Sequence, residues 1–276
     1  MGSPVALDLA QLERLAVEVA VEAGRLITDD RPADVSAAAT KSSPTDVVTI
    51  MDTRAEELIR ARLLAARPDD SILGEEGDDH VGSSAITWVV DPIDGTVNYL
   101  YEIPAYAVSI AAVTGDPRVP GEWTVLVAAV GDPCRDRVYH ARLGGGAHLS
   151  RTDGGVVSRL AVGGVPQLGG ALVGTGFGYT EEKRRTQGEL LLEVIPHVRD
   201  IRRIGSAALD LCMVAAGQLD GFYEVGLNPW DLAGGWLVVT EAGGIVTGPR
   251  GGAPSAALTV AGNTAVHAAL AAIVNR

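Results

Sequence analysis

Carboxylates at the ends of short apolar runs are the residues of this chain best placed to do chemistry. Trp88-Val89-Val90 is short enough for a buried strand, and it breaks at Asp91-Pro92-Ile93-Asp94-Gly95-Thr96. Proline forces Asp91 out of helical geometry and Asp-Gly is a turn dipeptide, so two carboxylates are delivered to one small volume. They repel each other unless a cation sits between them. With the Ile93 carbonyl freed by the turn, they supply the hard oxygen ligands that Mg²⁺ or Ca²⁺ takes. The amides of Gly95 and Thr96 follow into the same space, where they could hold an anion. The same hexapeptide also fits a solvated, Asp-rich surface turn, and other stretches of the chain decide between the two.

Two further acidic sites share this placement. Ile72-Leu73 is a very short strand ending at Gly74-Glu75-Glu76-Gly77, and glutamates between glycines after a strand are not the charges of a helix surface. Asp231 lies in Trp230-Asp231-Leu232-Ala233-Gly234-Gly235 at the start of a helix, where the macrodipole alone also favours an aspartate. Glu75, Asp91, Asp94 and Asp231 form a multi-carboxylate cluster if the fold brings them together. Upstream, Lys41, Asp46 and Asp52 read by themselves as a loop lysine and helix-capping aspartates.

The elements that must position these groups follow from periodicity. Leu9, Leu12, Ala16, Val19, Ala20, Ala23 and Ile27 recur at helical spacing, predicting an amphipathic helix from Asp8 to about Thr28 with Asp8 as its cap. Val47–Thr49 is a β-branched run, and Asp52 opens a helix to about Arg67. After the central motif, Ala105–Val113, Thr124–Val130 and Arg137–Arg142 are apolar or alternating and predict an antiparallel meander. Beyond a loop-rich stretch at 154–170, with one strand expected near Val156–Ala161, the pattern changes to alternating strands and helices. Strands are expected near 171–174, 199–204, 221–224 and 257–261. Helices are expected near 181–195, 206–217, 229–242 and 264–274, with Pro229 in a first turn and Gly243-Gly244 as a stop. The fold class is therefore α/β, α+β in part. We divide it into an N-terminal half, residues 1–150, bearing most of the acidic sites, and a C-terminal half, residues 151–276, bearing Asp231.

Composition narrows the function. There are 22 Lys and Arg against 35 Asp and Glu, a formal net charge of −13, which argues against a general nucleic-acid or anionic-membrane surface. An anionic substrate would then need its positive field from bound metal. Cys134 and Cys212 make neither a disulfide framework nor a CxxC site, and the five histidines show no zinc spacing. No 18-residue apolar run and no signal pattern occur, so a reduced, cytoplasmic, soluble protein is expected.

Gly74-Glu75-Glu76, Asp91-Pro92-Ile93-Asp94-Gly95-Thr96 and Trp230-Asp231-x-Ala233-Gly234 together resemble the signatures of the inositol monophosphatase family, lithium-sensitive Mg²⁺-dependent phosphatases. The resemblance runs from about Lys41 to Gly244. It is strongest to the bacterial inositol-1-monophosphatases, through Gly174-Thr175-Gly176-Phe177-Gly178-Tyr179 and the segment from Arg203 to Leu211. It implies a layered αβαβα sandwich, assembled as a homodimer, with the metal site between the halves. By the same resemblance, Glu75, Asp91 and the Ile93 carbonyl hold one Mg²⁺, and Asp91, Asp94 and Asp231 hold a second. Lys41, Asp46 and Asp52 match the family's Lys-Ser-x-x-Asp…Asp segment, which supports the site, including water around a third metal. Asp94 and the Gly95 and Thr96 amides face the phosphate. Glu224 contacts substrate hydroxyls, and Gly205 and Ala207 line the same pocket. The implied chemistry is hydrolysis by a metal-activated water that Glu75 and Thr96 orient, with Thr96 held by Asp52.

Asn228-Pro229 stands where animal members carry His-Cys, so the departures fall in the substrate pocket. Myo-inositol 1-phosphate is the expected substrate, because a carboxylate at Glu224 suits a polyol and repels a second phosphate. Fructose 1,6-bisphosphate, histidinol phosphate and 3′-phosphoadenosine 5′-phosphate are alternatives within the same chemistry. A protein that keeps the fold but works by binding a partner, as some bacterial relatives do with transcription machinery, is the alternative of another class.

Overall fold

The computed structural model describes residues 7–33, 35, 36, 39, 40 and 47–275, so Lys41 and Asp46 lie outside the described residues. Helix α1 (Leu9–Asp29) follows its apolar spacing, burying Leu12, Ala16, Val19, Ala23 and Ile27. Asp8 caps it, accepting hydrogen bonds from the Ala10 and Gln11 amides at 3.0 and 3.2 Å. The short pair β1 (Ala39–Thr40) and β2 (Val47–Val48) leads into α2 (Ile50–Ala66). Asp52 does not open this helix as expected. Thr49 is the N-cap and Asp52 the third helical residue, its carboxylate reaching back to the Thr49 amide to close a capping box.

Seven strands then form one sheet in sequence order: β3 (Ser71–Gly74), β4 (Ile86–Asp94), β5 (Ala107–Gly115), β6 (Trp123–Asp132), β7 (Arg137–Arg142), β8 (Gly146–Arg151) and β9 (Val156–Arg159). Only β3 and β4 pair in parallel; from β4 onward the sheet is an antiparallel meander, longer than the three strands expected. A five-residue helix, α3 (Thr96–Leu100), follows β4 directly.

The remaining strands are β10 (Leu172–Thr175), β11 (Asp200–Arg202), β12 (Gly221–Glu224), β13 (Ile245–Thr247) and β14 (Thr259–Gly262), and their order in the second sheet is β11-β10-β12-β14-β13. β10 is parallel to both β11 and β12, while β14 runs antiparallel to β12 and β13. Strand β13 was not expected, its three residues following directly on the Gly243-Gly244 helix stop. The helices of this part are α4 (Glu181–Val194), α5 (Ala207–Ala215), α6 (Pro229–Glu241) and α7 (Thr264–Val274).

The layers are α1/α2, the seven-stranded sheet, α5/α6, the five-stranded sheet, and α4/α7, an αβαβα sandwich. Trp88, Ile110 and Val127 pack under α1 and α2. On the opposite face Val130, Leu211, Leu237 and Phe222 join one core that runs from the large sheet through α5 and α6 to the small one. Helix α6 lies close in this core because Gly234 and Gly235 lack side chains. A Cβ at Gly234 would meet Ser109 Oγ at 2.6 Å, and one at Gly235 would meet Leu211 Cβ at 2.5 Å. Among the described residues no helix is long and apolar enough to cross a membrane.

Candidate active site

The end of β4 is the organising feature. Its pairing with β5 is regular to Asp91, shifts register between Asp91 and Asp94, and then stops. Asp91 Oδ1 accepts the Ile93 amide at 3.0 Å, which closes the turn locally and leaves the other oxygen out of that bond. Gly95 then takes φ +101°, a left-handed conformation, and a Cβ there would stand 3.1 Å from the carbonyls of Ala105 and Gly205. The chain can therefore turn straight into α3, and Asn98 of α3 donates to the carbonyls of Ala105 (2.7 Å) and Ile204 (2.9 Å). That last bond ties the motif to the loop before α5.

Three carboxylates converge here. One oxygen from each of Asp91, Asp94 and Asp231 lies within 4.8 Å of the other two. Each is held by a different device. Asp94 Oδ2 accepts from Ser206 Oγ at 2.6 Å and the Ala208 amide at 2.7 Å, so the start of α5 grips it. Asp231 Oδ2 accepts the Asn228 amide at 2.7 Å, in the first turn of α6. Glu75 is outside this tight group but lines the same cavity, and its charge acts on all three.

The Glu75 loop is held from below by a residue that sequence reasoning passed over. Glu56 of α2 is buried and accepts the amides of Glu76 and Gly77, both at 2.8 Å, as well as Arg60 Nε at 2.8 Å. Asp52 works similarly beside the motif. Its Oδ2 binds the Thr49 amide and hydroxyl, and its Oδ1 lies 3.0 Å from Thr96 Oγ1. Thr96 Oγ1 is also 3.0 Å from the Ile93 carbonyl, so its single proton serves one acceptor at a time.

These carboxyls are far from their ordinary behaviour. Burial, then the charges of Glu75, Asp94 and Asp231, pushes Asp91 well above the usual carboxylate range. Burial raises Asp94 to about 6 despite the hydrogen bonds from Ser206 and Ala208, and it raises Asp231 strongly, with Glu75 and Asp94 adding to the effect. Asp91 Oδ2 is buried with no hydrogen-bond partner among the described residues. A group of buried, mutually repelling carboxylates with an orphaned oxygen lacks a positive charge. An all-oxygen donor set fits a hard divalent cation such as Mg²⁺.

The cavity above them holds about 320 Å³ and is lined by Glu75, Asp94, Thr96, Gly205, Ala207 and Glu224 among others. Burial lifts Glu224 to about 8, helped by the Asp94 charge. Three charged residues not singled out from sequence also line the cavity: Lys183 from α4, Arg203 before α5 and Asp210 within it. Lys183 and Arg203 place protein cations beside the site, so metal need not be the sole positive field there. Net charge describes the whole surface and could not reveal two cations folded into one cleft. Asp210 is buried with Oδ1 unpartnered among the described residues, and burial and Glu224 hold it well above the carboxylate range.

A family model for the inositol monophosphatase family matches residues 8–276, spanning every element that builds this site. The chain belongs to the inositol monophosphatase family. That family is metal-dependent, and this member of it is a phosphatase. It is 48% identical over 260 residues to the inositol-1-monophosphatase SuhB of Mycobacterium tuberculosis (strain H37Rv), covering 88% of this chain and 86% of that protein. The solved structure of Mycobacterium tuberculosis SuhB superposes with a TM-score of 0.80 at 44% identity, over 98% of this chain and 97% of that one. A relative named Nus factor SuhB, from Salmonella typhimurium (strain LT2), is 38% identical over 240 residues, 86% of this chain and 85% of that protein.

Proposed function

We propose that this phosphatase is a Mg²⁺-dependent phosphomonoesterase that hydrolyses myo-inositol 1-phosphate to inositol and phosphate. The observation that carries the reading is the convergence of Asp91, Asp94 and Asp231, with the orphaned Asp91 oxygen, at the floor of a cavity that also contains Glu224. Glu75, Asp91 and the Ile93 carbonyl would hold one Mg²⁺, and Asp91, Asp94 and Asp231 a second. A third would be supported by Asp52 and by the Lys41 and Asp46 segment. When bound, the ions neutralise phosphate charge and lower the proton affinity of water in the site. Thr96, fixed by Asp52, and Glu75 orient the attacking water by accepting its hydrogen bonds. The Gly95 and Thr96 amides donate to the phosphoryl oxygens. Glu224 hydrogen-bonds hydroxyls of the departing alcohol over the backbone of Gly205 and Ala207. Ser206, the serine beside the carboxylates, is buried and commits its hydroxyl proton to Asp94, which agrees with direct attack by water rather than by a side chain.

Substrate choice rests on Glu224, whose carboxyl pairs with hydroxyls and, once ionised, repels a second phosphate. The deciding experiment measures kcat/KM for inositol 1-phosphate and fructose 1,6-bisphosphate, comparing wild type with Glu224→Gln. The reading expects inositol 1-phosphate to be preferred and the substitution to raise its KM. Equal or better turnover of the bisphosphate would remove the inositol assignment. Inhibition by lithium, a homodimer and a cytoplasmic location belong to the same proposal, and sedimentation of the purified protein tests the dimer. The relative named Nus factor SuhB supports a second reading, a partner-binding role on the same fold; intact acidic positions at Glu75, Asp91, Asp94 and Asp231 favour the enzyme.

A further inference from the structure

On the outer side of the molecule, away from the carboxylate site, α1 crosses the seven-stranded sheet over β5, β6 and β7. Here His140 and His148 are direct cross-strand partners, with ring centroids 5.6 Å apart and planes inclined by 28°. Glu13 projects from α1 toward them, 5% exposed on a helix face that otherwise buries apolar residues. His140 Nδ1 lies 2.7 Å from Glu13 Oε1, and His140 Nε2 lies 2.8 Å from Ser150 Oγ. Arg142 donates to the other Glu13 oxygen at 2.5 Å. One ligand atom from each of Glu13, His140 and His148 lies within 4.8 Å of the other two. A surface cleft lined by these residues opens beside them.

We propose that Glu13, His140 and His148 form a metal site separate from the phosphatase centre, taking a borderline divalent cation of the zinc class. Two imidazoles and one carboxylate are the donor set that Zn²⁺ prefers and that Mg²⁺ does not. The supporting contacts are already present. Ser150 fixes the ring of His140 through the nitrogen that would not ligate, and Arg142 holds the carboxylate oxygen that would not ligate, the arrangement that orients ligands at metal sites. The cation takes the place of the proton between Nδ1 and Oε1, and the neutral ring then carries that proton on Nε2, where it is donated to Ser150 Oγ. The separation must open from 2.7 Å to roughly 3.3 Å, which metal–ligand distances of about 2.0–2.2 Å require and which side-chain rotation allows. The cleft admits the ion and leaves room for water as a fourth ligand. The Arg142 charge works against binding and disfavours a hard cation that gains little from imidazole. Bound there, the ion fastens α1 to the far strands of the sheet.

Calorimetric titration of ZnCl₂ into Mg²⁺-saturated protein tests this, using wild type, His148→Ala, His148→Gln and Asp231→Asn. One Zn²⁺ event is expected in wild type, retained in Asp231→Asn and weakened at least tenfold in both His148 variants, which keep wild-type phosphate release in Mg²⁺. Anomalous scattering from a Zn²⁺-soaked wild-type crystal, independent of how any variant folds, should place the ion against Glu13, His140 and His148. No Zn²⁺ event in wild type overturns the proposal. So does an event lost in Asp231→Asn but unchanged in the His148 variants, or an anomalous peak at the carboxylate site only.

Discussion

Asp94→Asn is expected to stabilise the metal-free protein while abolishing its phosphatase activity. Burial at the end of β4 raises Asp94 from the ordinary 3.8 to about 6, even with Ser206 and Ala208 donating to it. In the unfolded chain the same carboxyl titrates at its ordinary value. Between the two values the folded protein therefore holds a proton that the unfolded chain has released. Stability contributed by this proton is fully present below about pH 4 and is lost as pH rises toward 6. At about 1.36 kcal/mol per pH unit, the interval is worth about 3 kcal/mol. An asparagine amide resembles the protonated acid in shape and charge, so the variant escapes that loss. In EDTA, urea unfolding should show little difference between wild type and Asp94→Asn near pH 4. Near pH 7.5 the variant should be more stable by about 3 kcal/mol. Relief of Asp91 and Asp231, which feel the Asp94 charge directly or through the shared cluster, acts in the same direction. A variant less stable than wild type at the higher pH would refute the reasoning. It would mean that the hydrogen bonds from Ser206 and Ala208 outweigh the burial of the charge.

Other perturbations test the supports of the site. Glu56→Ala removes the acceptor for the Glu76 and Gly77 amides, and should cost roughly 2–3 kcal/mol in denaturant unfolding and raise the Mg²⁺ concentration needed for half-maximal activity. Gly235→Ala drives a Cβ against Leu211 and should destabilise by about 1–3 kcal/mol while lowering kcat, because α6 carries Asp231. Apparent Mg²⁺ affinity should weaken as pH falls, since ligation requires ionised Asp91, Asp94 and Asp231 and all three are raised. Calorimetry in buffers of different ionisation enthalpy should register the released protons.

What the sequence shows of this site is what lies in a contiguous pattern. Asp91-Pro92-Ile93-Asp94 announces a strand broken at two carboxylates, and the structure bends β4 at that point. Glu75 is visible because glycines flank it after a strand, and Asp231 because Pro229 marks a helix start. The amphipathic spacing of α1 likewise survives folding unchanged. Residues that act across the fold leave no such trace. Glu56 looks like any helix-surface glutamate until the Glu75 loop is laid over it, and Ser206 looks like an ordinary cap until Asp94 arrives from the other half of the chain. Lys183 and Arg203 sit among unremarkable surface charges in sequence and face the cavity only through the packing of α4 and the loop before α5. Asp52 is misplaced by its proximity to Thr49, since either residue suits a helix start and only the hydrogen-bond pattern distinguishes cap from third residue. The pairing of His140 with His148 depends on a strand register that the turn at Gly144-Gly145 sets, and Glu13 reaches them from a helix more than a hundred residues earlier.

The central claim is that Asp91, Asp94 and Asp231 hold the Mg²⁺ that hydrolysis requires. The most direct measurement is phosphate release from inositol 1-phosphate by EDTA-stripped protein as Mg²⁺ is restored, with Asp94→Asn and Asp231→Asn alongside wild type. Activity that is absent without Mg²⁺, returns with it in wild type and stays absent in both variants is the predicted result. Turnover that persists in EDTA, or that Mg²⁺ restores equally in the variants, would contradict it.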